Sequence, residues 1–127
     1  MKSEKRIFGD RGEDAAALYL KKQHYRIIAR NTVIGRREID IIAESREALV
    51  FLEVKTRTVS SSQDRYGRAC MAVNADKRRN LLAAARTYIA THPIKKPIRF
   101  DVIEVYYDTS DPPVLLDIHH MPDAFRA

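Results

Sequence analysis

The sequence predicts an α/β domain built on a mixed sheet. Three observations carry that expectation: two segments with helical spacing, five short apolar segments of strand character, and their order α-β-β-β-α-β-β. At 127 residues, the chain fits one domain with a single core, and no linker or internal repeat divides residues 1–127.

Residues 1–9 read as a basic arm or first turn, and a helix follows over residues 12–23 (GEDAAALYLKKQ). Its acidic residues fall in the first turn and its lysines in the last, an arrangement that complements the helix dipole. RIIAR (26–30) is a short strand, 31–35 a turn, and REIDIIA (37–43) a second strand with clean alternation. After the polar turn 44–47, residues 48–56 form a third strand. The Ser-rich stretch 58–68 has no period and reads as a loop. Asn74 caps a second helix to about His92, with Leu81, Leu82, Ala85, Tyr88 and Ile89 at helical spacing; Pro93 and Pro97 end it. Residues 98–106 and 114–119 are the last two strands, separated by the turn at Asp111-Pro112-Pro113.

Composition narrows the function classes. Hydrophobic residues make up 45% and charged residues 31%, which suits a folded rather than a disordered chain. No apolar run is long enough to cross a bilayer, and MKSEKRIFGD lacks the apolar core of a signal peptide. The single cysteine, Cys70, has no internal disulfide partner and reads as a small buried residue. A cytoplasmic protein with no membrane partner is therefore expected. The net charge of +6 favours a polyanionic partner, nucleic acid first.

Pairing the second and third strands antiparallel around Arg46-Glu47 sharpens the picture. One face of that hairpin sets Ile39 opposite Val54, Ile41 opposite Leu52 and Ala43 opposite Val50, an apolar surface that must be buried. The other face sets Glu38 opposite Lys55, Asp40 opposite Glu53 and Ile42 opposite Phe51. Facing carboxylates repel. Open water, a shared proton, or a divalent metal taking Asp40, Glu53 and the Val54 carbonyl as hard oxygen ligands would each offset the repulsion. The bland reading is a solvated face with a Glu38–Lys55 ion pair worth less than ~1 kcal/mol. Ile42 and Phe51 make that face only partly solvated, so its charges need a reason.

Asp40, twelve intervening residues and then Glu53-Val54-Lys55 match the D-x(n)-(D/E)-x-K pattern of PD-(D/E)xK nucleases. With GDRGEDAAALYL, REID, LVFLEVKTR, the helix near Asp76-Lys77 and RFDVIEV, the chain resembles the YraN family, predicted endonucleases, over residues 9 to about 105. The resemblance implies a restriction-endonuclease-like fold, similar to that of Holliday junction resolvases: a mixed central sheet flanked by helices. It implies Asp40 and Glu53 as ligands of Mg²⁺ (or Mn²⁺), Lys55 as the catalytic lysine, and Glu13 as a further acidic residue of the site. Arg37 stands where the family usually has glycine, and Ile39 replaces the proline of the PD pair. Resolvase-like nucleases often pair two sites, which raises a homodimer.

The function expected is Mg²⁺-dependent hydrolysis of DNA phosphodiesters, with branched or damaged DNA among the candidate substrates. The alternative is a non-catalytic nucleic-acid-binding module that keeps the nuclease fold. A protein–protein adaptor is a third option. Arg36, Arg37, Arg57, Arg65, Arg68, Lys77, Arg78 and Arg79 are candidate phosphate contacts, and Tyr66 a base-stacking residue. For Glu13 the bland alternative is a first-turn helix residue, and for Lys77 a snorkelling side chain. Asp101 is expected to pair with a nearby Arg. His119 and His120 are adjacent on a strand, so they point apart and do not chelate jointly.

Overall fold

The computed structural model describes residues 3–59 and 75–125. They form α1 (Glu4–Lys22), β1 (Arg26–Ile34), β2 (Arg37–Glu44), β3 (Leu49–Thr58), α2 (Ala75–Thr91), β4 (Ile98–Tyr107) and β5 (Leu115–Phe125), in the expected order. The Ser-rich stretch expected as a loop falls mostly in 60–74, outside the described residues, as do Arg65, Tyr66, Arg68, Cys70 and the Asn74 cap.

The ends of the elements differ from expectation for local reasons. The segment expected as a basic arm is helical from Glu4, because the Ser3 side chain accepts the Arg6 N–H at 3.1 Å and caps the helix. At the other end His24 takes a positive φ of 69°, while Tyr25 N–H donates to the Leu20 carbonyl and His24 N–H to the Lys21 carbonyl. This is a Schellman stop. β1 runs four residues further than expected, to Ile34: Asn31 absorbs a positive φ of 48° within the strand, and the turn moves to Gly35 and Arg36. Gly35, at φ 65°, supplies the left-handed backbone that a two-residue hairpin turn requires. β5 extends to Phe125, past Pro122, which an edge strand tolerates because its N–H side needs no partner.

The strands form one open sheet in the order β1-β2-β3-β4-β5. All neighbours are antiparallel except β3 and β4, whose parallel pairing needs a crossover connection, and α2 lies in it. One face packs Ile41, Ala43, Val50, Leu52, Ile103 and Val105 against Ala16, Ala17 and Leu20 of α1. The other packs Ile39, Ile42, Leu49, Phe51, Phe100 and Val102 against Leu81, Ala84 and Ala85 of α2. The face expected to be partly solvated is thus fully closed around Ile42 and Phe51. Burying Phe51 alone contributes about 2–3 kcal/mol. Strands covered on both sides read as continuous apolar runs, as LVFL does in β3.

α1 meets β3 closely at Gly12. A Cβ there would overlap Thr56 Oγ1 and lie 2.9 Å from Thr56 Cβ, so only glycine fits. No helix among the described residues is long and apolar enough to cross a membrane.

Candidate active site

Near the turn, β2 and β3 pair as expected, with Ile41 opposite Leu52, Ile42 opposite Phe51 and Ala43 opposite Val50. The ladder then stops. Asp40 does not continue it opposite Glu53; its carboxylate turns into the seam, where Oδ2 accepts the Val54 N–H at 2.8 Å. A side chain takes over a bond that a backbone carbonyl would have supplied, and the strands part beyond it. Ile39 accordingly leaves the face of Ile41 and Ala43 expected for it and packs with Ile42 under α2. Repulsion between facing carboxylates gives the physical reason for the break.

Asp40 is held largely away from water, and burial with the neighbouring Glu53 charge pushes its pKa up to about 7 against the pull of the Val54 N–H. It lines a cavity of about 470 Å³ beneath α1, together with Asp10, Glu13, Glu38, Asn31 and Thr56. Glu13 is 7% exposed, and its Oε1 has no hydrogen-bond partner; Arg30 Nε lies 3.6 Å away as an ion pair. Burial raises the Glu13 pKa, with Arg30 opposing. α1 thus carries a desolvated carboxylate to the cavity that Asp40 lines.

Glu53 and Lys55 alternate onto the α2 face. Glu53 is 6% exposed, and its Oε1 receives Lys55 Nζ at 3.1 Å and the ammonium of Lys77 from the first turn of α2. The Glu38–Lys55 ion pair of the bland reading is absent among the described residues; Lys55 pairs within its own strand. Burial lowers the Lys55 pKa, and the adjacent Lys77 lowers it further. For Lys77, burial is outweighed by Glu53, Lys55 and Asp40, and the net shift is upward.

The same face continues to Arg57, whose Nε lies 3.5 Å from Glu104 Oε2. Glu104 is fully buried and accepts the Tyr106 hydroxyl at 2.5 Å. Glu104 is not among the residues that the sequence motifs mark. Its signal was the one carboxylate in the otherwise apolar run Val102–Tyr107 of β4, and the parallel register sets it beside Lys55.

The model of the uncharacterised protein family UPF0102 matches residues 12–105, which span Glu13, Asp40, Glu53, Lys55, Lys77 and Glu104. The chain belongs to the UPF0102 family. A UPF0102 protein of Clostridium acetobutylicum is 45% identical over 98 residues, 76% of this chain and 77% of its own. One of Symbiobacterium thermophilum is 46% identical over 101 residues, 79% and 82% of the two chains. One of Chlorobium phaeobacteroides is 37% identical over 130 residues, 100% of this chain and 99% of its own.

In this UPF0102 chain, Asp101 pairs with an arginine as expected, Arg99, whose Nε and Nη2 donate to it at 2.8 Å each. The Asp123 N–H and His120 Nε2 complete its shell, and His120 Nδ1 meets the Tyr19 hydroxyl at 3.1 Å. Burial opposes ionisation of Asp101, but these partners outweigh it and keep its pKa low. The cluster ties β5 to β4 and α1. His119 sits opposite Glu104 and His120 opposite Ile103, so the two histidines face apart as expected.

Among the described residues, the candidate phosphate contacts have different surroundings. Arg36 and Arg37 are exposed at the β1–β2 turn, Arg78 stacks over Phe125 with its guanidinium 5.8 Å from the ring centre, and Arg79 pairs with Asp76. Arg57 and Lys77 are brought against the buried carboxylates Glu104 and Glu53. Among the described residues no group of three or more His, Cys, Asp or Glu side chains forms a metal cage. In donor chemistry, however, Asp40 and Glu53 suit a hard cation, and the unbonded Glu13 Oε1 is a third carboxylate oxygen of the same kind.

Proposed function

We propose that this UPF0102 protein is a divalent-cation-dependent DNA endonuclease of the PD-(D/E)xK type, with the YraN-like, restriction-endonuclease-like fold that its sequence resembles. The carrying observation is the Asp40 carboxylate set into the β2–β3 seam next to Glu53 and Lys55, two desolvated acids and a lysine on adjacent strands. A fold with no use for a cation gains nothing by placing two buried carboxylates there.

Asp40 and Glu53, with the Val54 carbonyl, would hold Mg²⁺ or Mn²⁺, with Glu13 approaching from α1. When bound, the cation supplies Lewis-acid stabilisation of the phosphoryl oxygens and a more acidic water. Lys55, whose pKa is lowered by burial, is suited to orient that water or take its proton. Arg57 lies one alternation further along β3 and would contact a neighbouring phosphate.

The test is a cleavage panel of duplex, single-stranded, flapped and four-way DNA with Mg²⁺ or Mn²⁺, run beside Asp40→Ala and Lys55→Ala. Each substitution is expected to reduce cleavage by about 10² or more while the circular dichroism stays unchanged. Equal cleavage by all three proteins overturns the assignment. Salt-sensitive DNA binding with no cleavage indicates the non-catalytic binding module in its place.

A further inference from the structure

Glu53 Oε1 carries two ammonium groups that come from different elements. Lys55 is fixed by the central strand β3, two residues from Glu53 and on the same face. Lys77 comes from the first turn of α2, where the helix dipole disfavours a cation, so its position depends on the carboxylates it meets. Its side chain is 36% exposed, leaving the ammonium a route to solvent without unpacking the helix.

We infer that Lys77 is the exchangeable counter-ion of Glu53: it holds the carboxylate while no divalent cation is bound and gives up that oxygen when one binds. The inference rests on the cation-dependent reading above. Hard cations require ionised carboxylate oxygens with free lone pairs, and Glu53 Oε1 already serves two donors. A monovalent and a divalent charge at contact distance repel strongly, even at an effective dielectric of ~20. Lys55 is held by the strand, so Lys77 is the group that yields. Cation binding at the sheet is thereby coupled to the start of α2, and the released ammonium becomes available to a phosphate.

Calorimetry with Mn²⁺ on the full chain tests this, using Lys77→Met to keep the aliphatic stem and remove the charge. Lys77→Met is expected to bind Mn²⁺ about tenfold more tightly than the native chain, while Lys77→Arg binds no more tightly. Amide exchange at residues 79–82, whose N–H groups bond back to the first turn of α2, should accelerate when Mn²⁺ is added to the native chain and stay unchanged in Lys77→Met. Equal or weaker binding by Lys77→Met overturns the inference. So does unchanged exchange in the native chain once calorimetry shows Mn²⁺ bound, a readout that survives if the variant does not fold. No Mn²⁺ binding by either protein removes the cation-dependent reading itself, a separate failure.

Discussion

Asp40 combines two properties that pull in opposite directions. Its carboxylate completes the seam by accepting the Val54 N–H, yet burial and Glu53 lift its pKa from 3.8 to about 7. Because the folded pKa exceeds that of the unfolded chain, the native state binds the proton more tightly between about pH 4 and 7. Stability contributed by this group therefore falls as pH rises through that window and is lowest above it. Asp40→Asn keeps an acceptor for Val54 and removes the charge. It is expected to stabilise the cation-free protein by roughly 1–3 kcal/mol at pH 8 and to leave it little changed at pH 4, measured by urea denaturation. Glu104 behaves oppositely on truncation. Glu104→Ala strips a fully buried partner from Arg57 and Tyr106 and should cost about 3 kcal/mol in the same assay.

The helices decide where these residues meet, and Gly12 shows how narrow the tolerance is. Gly12→Ala drives a methyl group into Thr56 and should cost about 1–3 kcal/mol by denaturant titration, displacing Glu13 from the cavity it shares with Asp40. Much of this architecture was legible beforehand. The β2–β3 register followed from alternation and a two-residue turn, and the element order followed from periodicity. What the sequence hid was tertiary. Nothing in REID announces that Asp40 leaves the ladder, because the strand pattern is unchanged until the partner strand is in place. Asn31 reads as a turn residue, yet its left-handed backbone is absorbed inside β1. Lys77 was legible as a phosphate contact or a snorkelling side chain, but its partner, Glu53, lies on β3.

The five-stranded sheet is covered by a helix on each face, and both faces contribute to the site. Glu13 approaches from the α1 side and Lys77 from the α2 side, so the site depends on both layers. Among the described residues, basic side chains stand at separate places, with Arg36 and Arg37 at one hairpin tip and Arg78 on α2. Binding to duplex DNA should therefore depend moderately on salt, with log affinity falling against log salt at a slope of about −3. A filter-binding series across salt concentrations checks this; a flat dependence would favour the adaptor reading.

The Val54 N–H also gives the protein a native spectroscopic probe. It ends on a titrating side-chain oxygen, so its ¹H and ¹⁵N chemical shifts should move with the charge on Asp40 without any added label. One backbone resonance followed through a titration would then report the state of the site in the intact, unmodified chain.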